Sequence, residues 1–333
     1  MLAEEKLTEK TIATAGEADR AEKATHSACW AVRRFAAQVG EDISEALLFG
    51  LGRTAWYCFR AHAGTSDLLT YHPLRVPRMF MALNVPADSY RCWTSAPLTP
   101  AALCGCSGKM LLEVDRTIFA AKANGKAEGD PYAPRHYCVW TAGLAENSTA
   151  DGWPFVELQV PHCDNPVVVE GGSLARGWRA PGDRAAAYTF YVSHTTGIRW
   201  KPRAQTRLCI EQWVHQMRQA KSPYGLGGLS ALPAFADALE NGSADLERTR
   251  RYALADGGAA GHRDLLSGFL FEAAELLNAP VLSRAAASYT EIATAWRVLF
   301  GDQLTDRECA QTIREIHVLE YEALEELNKD FVS

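Results

Sequence analysis

The chain has 333 residues, 47% of them hydrophobic, which is ample for a buried core in two domains or one large one. A charged fraction of 22% is ordinary for a globular protein, and a net charge of −6 without any Lys/Arg-rich block argues against nucleic acid as the main partner. The sequence has no apolar run long enough to cross a membrane, and its N-terminus, MLAEEKLTEKTIATAGEADR, lacks the apolar core of a secretory signal.

The nine Cys are irregularly spaced and form no CxxC pair, so they read as reduced thiols of a cytoplasmic protein. CGC at 104–106 is too cramped for a zinc knuckle, and the His residues show no HExxH spacing. No metal site is expected.

Residues 1–22 read as a polar leader. Ala31, Val32, Phe35, Ala36 and Val39 then recur at helical spacing, and Gly40 stops that helix. SEALLFG suggests a second short helix before a Gly-flanked turn. The region 65–125 is mixed, with Pro-rich connectors at HPLRVPR and APLTP. GKMLLEVD, RHYCVWTAG, FVELQV, NPVVVE and AAYTFYV combine β-branched and aromatic residues between Gly, Pro and Asp, and they predict an antiparallel sheet over 108–192.

A helix packed on that sheet makes the unit 23–220 α+β. From Ser222 the composition changes. SPYGLGGLS has no preceding strand pattern and no following Lys-Ser/Thr, so it reads as a connector or a helix-start turn, and DGGAAGHR at 256–263 is read in the same way. Beyond it, 221–330 is expected to be an all-α domain. Thr305 and Glu308 form a capping box there, and Ile316, Leu319, Ala323 and Leu327 share one face.

The chemistry concentrates in HSACWAVRRF, residues 26–35. A nucleophile at a helix start gains from unpaired N–H groups, which stabilise an anion and can donate to an oxyanion. Ser27 and Cys29 both meet that requirement. A nucleophile also needs a base and a group to orient it. His136, opening the strand HYCVWTAG, is the candidate base; Asp164 in PHCDNP, or its neighbour Asn165, is the candidate orienter. A nucleophile followed by His and then Asp or Asn is the order of papain-like enzymes. The same residues also have ordinary roles: His26 or Ser27 as an N-cap, Cys29 as a small buried hydrophobe, His136 as a core histidine, and Asp164 as an Asx-turn residue.

HSACWAVRRFAAQVGEDISEALLFGLG resembles the N-terminal motif of the butirosin-biosynthesis acyltransferase family. Ala31-Val32, Gly40, Ser44-Glu45 and Phe49-Gly50-Leu51-Gly52 keep step with that pattern without a gap. DGGAAGHRDLLSGFLFEAAELL resembles the helical domain that accompanies it, and GKMLLEVD and HYCVWTAG resemble the middle more loosely. The resemblance implies a papain-like cysteine-peptidase fold turned to synthesis, followed by an all-α C-terminal domain.

Such enzymes move an acyl or aminoacyl group from the phosphopantetheine thioester of an acyl or peptidyl carrier protein to the amine of a sugar-like acceptor, without ATP. The lincosamide-type condensing enzymes are a related possibility. What it implies here is an amide-forming acyltransferase of antibiotic biosynthesis that binds no cofactor of its own and partners a carrier protein, with a homodimer among the expected assemblies. His26, Asn165 and Trp140 are the expected substrate-binding residues. The alternatives are a peptidase or thioesterase of the same fold, or a non-catalytic binding protein on a decayed scaffold.

This sequence departs from the family at the centre of the site, where Ser27 stands in place of the expected Cys. Three explanations stand open: a Cys exchanged for Ser, a natural serine nucleophile, or a local shift that brings in Cys29. Two helical positions two apart differ by about 200° in direction, so Ser27 and Cys29 cannot both face one base if both are helical. The papain-like oxyanion Gln is missing as well, since Ala21 and Lys23 stand six residues before Ser27 and Cys29. Lys201 with Arg203, and Arg248 with Arg250 and Arg251, are the candidate basic patches for an acidic carrier.

Overall fold

A computed structural model describes residues 26–62, 65–71, 75–85, 90–93, 110–115, 136–149, 151–159, 167–177, 190–193, 198–222, 225–247, 258–301 and 304–332. The expected leader, Asp164, Asn165, Arg248, Arg250 and Arg251 lie outside these residues.

The first helix, α1 (Ser27–Gln38), buries Ala31, Val32, Phe35 and Ala36, the stripe expected from its spacing. It ends where Gly40 takes a positive φ of 85°, which a residue with a Cβ adopts only under strain. Helix α2 (Glu45–Leu51) starts from the Ser44 N-cap, whose hydroxyl accepts from the Leu47 N–H. Strands β1 (Ala55–His62) and β2 (Thr65–Tyr71) form an antiparallel hairpin, followed by α3 (Arg75–Ala82) and β3 (Tyr90–Trp93). The sequence pattern shows no strand in 55–71, so this hairpin is a correction. Its physical reason is that Ala55, Trp56, Tyr57, Cys58 and Phe59 are all buried, which erases the alternation that marks a half-exposed strand.

The expected sheet is present. Strands β4 (Met110–Asp115), β5 (His136–Ser148), β6 (Pro154–Gln159), β7 (Val167–Glu170) and β8 (Phe190–Ser193) match the five predicted segments, and α4 (Gly171–Gly177) follows β7. With β3 they form a six-stranded sheet of order β3-β8-β4-β5-β6-β7, antiparallel at every described pairing. Helix α1 packs on β5.

Helix α5 (Pro202–Arg218) leads into β9 (Lys221–Ser222) and β10 (Gly225–Gly227). In the Gly-rich stretch read as a connector or a helix-start turn, Gly225–Gly227 form strand β10, and a 3-10 turn, Gly228–Ser230, opens helix α6 (Ala231–Glu240), as the helix-start reading expects. β10 pairs with β1, giving a second sheet of order β2-β1-β10-β9. Gly228 is required in that turn: its φ is 58°, and a Cβ would lie 2.1 Å from the Met217 carbonyl oxygen.

Helices α7 (Gly258–Leu277), α8 (Pro280–Gly301) and α9 (Asp306–Leu327) complete the helical C-terminal region. GAAGHR, residues 258–263 of the DGGAAGHR stretch, opens α7, as a helix-start reading requires. The Thr305–Glu308 capping box forms, and Ile316, Ala323 and Leu327 are buried on the expected face of α9. The architecture is thus α+β with a helical C-terminal region. A single buried cluster includes Ala28 of α1, Tyr57 of β1, Trp213 of α5, Phe269 of α7, Trp296 of α8 and Ile313 of α9.

Candidate active site at the start of the first helix

His26 is the N-cap of α1. Its backbone is extended, with φ −144° and ψ 114°, and its Nδ1 accepts from the Cys29 N–H at 3.4 Å. The backbone N–H of His26 donates to Glu45 Oε1 of α2 at 2.8 Å, so a carboxylate sits beside the positive end of α1. Because Nδ1 is an acceptor here, the neutral ring carries its proton on Nε2; protonating Nδ1 would set one N–H against another.

Ser27 is the first helical residue and is 0% exposed. Cys29 is also fully buried, within the apolar cluster. Both positions are helical, so the angular argument holds in full: the two side chains leave α1 in different directions. Ser27 lies beside the His26 cap, while Cys29 has the surroundings of a small core hydrophobe.

His136 opens β5, and its backbone pairs with Asp115 of β4. Trp140 lies two repeats of the pleat further along the same strand, paired in register with Leu111 and Gln159. Since α1 packs on β5, the helix that begins with Ser27 and the strand that begins with His136 belong to one layered unit.

Sequence reasoning misses three residues that the fold brings to His26. The ring of His262, from the second turn of α7, lies 5.2 Å from the His26 ring, centroid to centroid and tilted by 49°. Phe49 of α2 contacts both rings, at 5.6 Å from His26 and 5.3 Å from His262. Glu45 binds the His26 backbone. His262 is 4% exposed. The available signal for it is a His just after a Gly-rich helix start; a distant helix face gives no local clue that it meets residue 26.

Among the described residues no group of three or more His, Cys, Asp or Glu is placed to hold a metal ion, and no helix is long and apolar enough to cross a membrane. Four described cysteines, Cys29, Cys58, Cys209 and Cys309, are buried. Lys201 and Arg203 are exposed at the start of α5. No protein-family model and no curated protein sequence matches this chain.

Proposed function

We propose that this chain is an amide-forming acyltransferase with a papain-like arrangement, taking an acyl or aminoacyl group from a carrier-protein thioester to the amine of a sugar-like acceptor. The observation that carries the reading is the packing of α1, with Ser27 in its first turn, on β5, the strand that opens with His136. A nucleophile at a helix start with a strand-borne histidine as its base is one arrangement that supports acyl transfer through a covalent intermediate.

In this mechanism His136 takes the Ser27 hydroxyl proton as the oxygen attacks the thioester carbonyl. The backbone N–H groups at the start of α1 stabilise the resulting oxyanion, in place of the missing Gln. The carbon–sulfur bond breaks, and the phosphopantetheine sulfur leaves with the proton returned by His136. The acceptor amine then attacks the Ser27 ester, His136 takes the amine proton, and the carbon–oxygen bond to Ser27 breaks as the amide forms and His136 returns the proton to Ser27 Oγ. Asp164 orients His136, and Trp140, Asn165 and His26 contact substrate. The pantetheine arm is the donor's own, and Lys201 with Arg203 supplies a basic docking pair for an acidic carrier.

Ser27 is wholly buried, so its acylation requires the groups that cover it to move. That burial, with Ser in place of Cys, favours one second reading: a binding protein on a scaffold that has lost its chemistry. Mass spectrometry after mixing the protein with an aminoacyl-pantetheine carrier and an amino sugar separates the two. For the enzyme, Ser27→Ala removes amide formation, and Ser27→Cys forms the acyl adduct at least about 10-fold faster, because a thiol ionises far more readily. Release of free acid without amide identifies a hydrolase. Absence of adduct and product from both the wild type and Ser27→Cys overturns the enzyme reading.

A further inference from the structure

The least expected chemistry in the core lies one residue beyond His262. Arg263 is fully buried, and its Nε donates to Glu320 Oε1 of α9 at 2.5 Å. The Tyr57 hydroxyl of β1 donates to the same oxygen at 2.6 Å, and Trp296 Nε1 of α8 donates to that hydroxyl at 3.1 Å. The guanidinium carbon stands 4.1 Å from the centre of the Tyr57 ring. Yet Nη1 and Nη2 of Arg263 make no hydrogen bond among the described residues and touch no solvent.

Such a pair is a poor source of stability. Removing two ions from water offsets their attraction, unpaired N–H groups add to the cost, and apolar replacements of similar volume are often neutral or stabilising. What the pair does fix is register. The partners of Arg263 come from β1 and α9, and they admit one rotation of the first turns of α7. A rotation by one residue, about 100°, would carry the His262 ring away from His26.

We infer that the buried Arg263–Glu320 pair is a positioning device for the candidate site: it sets the rotation of α7 that holds His262 against His26 at the start of α1. Its consequence for catalysis rests on the acyl-transfer reading given above; the placement of the two rings does not. Arg263 and Glu320 are positioning residues acting through His262, and neither touches the reacting atoms in the proposed mechanism.

The test is the double variant Arg263→Met with Glu320→Leu, examined in the substrate-free protein by the ring 15N–1H signals of His26 and His262. The expected result is a melting temperature at or above that of the wild type, with both ring signals displaced. Amide formation should fall at least about 10-fold in kcat/KM, because His26 contacts substrate in the proposed mechanism and a small misplacement there weakens productive binding. A folded double variant with unmoved ring signals overturns the inference. If the double variant does not fold, Arg263→Lys decides in the same way, since it keeps the charge and loses the planar fork. If the wild type makes no amide while the ring signals move as expected, the positioning stands and the acyl-transfer reading falls.

Discussion

His26 shows how much one side chain fixes when it caps a helix. Its Nδ1 takes the Cys29 N–H, its backbone N–H goes to Glu45, and its ring faces Phe49 and His262, so the start of α1 is tied to α2 and α7 together. The sequence made Ser27 and Cys29 visible as alternatives, but could not separate them, because the two differ only in which way they leave the helix. A thiol elsewhere in the core gives a sharper expectation. Cys209 is buried, and burial pushes its pKa up to about 11, against the smaller opposing pull of Arg53 and Arg78. Its Sγ lies 3.6 Å from the Leu51 carbonyl oxygen. The folded thiol therefore stays neutral at pH 8 and should resist alkylation until the protein unfolds. An unfolded Cys loses its proton near its ordinary value of 9.0, and the folded one near 11. Between those values the unfolded state binds fewer protons, so stability falls as pH rises through the window, by an amount on the order of 2–3 kcal/mol. Urea titrations of the wild type and Cys209→Ala at pH 8 and pH 10.5 check this; an equal loss in both proteins would refute it.

Helices α2 and α7 cross at a contact that only small residues allow. A Cβ on Gly50 would sit 2.1–2.3 Å from ring atoms of Phe269, and one on Gly268 would sit 3.1 Å from the Ala46 Cβ. Beside the crossing, the Ser44 hydroxyl both caps α2 and donates to Glu272 of α7, at 2.7 and 2.8 Å from its two carboxylate oxygens. Gly50→Ala should therefore cost about 1–3 kcal/mol through overpacking, offset in part by the roughly 1 kcal/mol that Ala gains over Gly in helix propensity. Denaturant unfolding checks the cost, and a more stable Gly50→Ala protein would show that the crossing gives way freely. Helices and composition-marked strands announced themselves in the sequence: the stripe of α1, the Thr305–Glu308 box and the segments that became β4 to β8, rich in β-branched and aromatic residues, all carry local signals. β1 did not, because its five consecutive buried residues suppress the period-two pattern. The pairing of β10 with β1 was equally hidden, since Gly-Leu-Gly has no strand propensity and depends on close backbone approach.

Among the described residues, one buried cluster joins segments from early and late in the chain. Trp213 of α5 donates from Nε1 to the Ala55 carbonyl of β1 at 2.7 Å and stacks edge-on against Tyr289 of α8, with centroids 5.8 Å apart. Tyr57 reaches from β1 to Glu320 of α9, and β10 returns from beyond residue 220 to pair with β1. Segments from early and late in the chain thus fill the same buried cluster, and neither covers its apolar surface without the other. Contacts shared so widely make partial unfolding expensive, because releasing α7–α9 would expose the core face of β1 as well as their own. The expected outcome is one cooperative thermal transition, with near-ultraviolet signals from Trp213 and Trp296 lost together with helical content. Calorimetry should give matching calorimetric and van't Hoff enthalpies. Two resolved transitions, the later one retaining helix without aromatic packing, would mean that the helical region holds a core of its own.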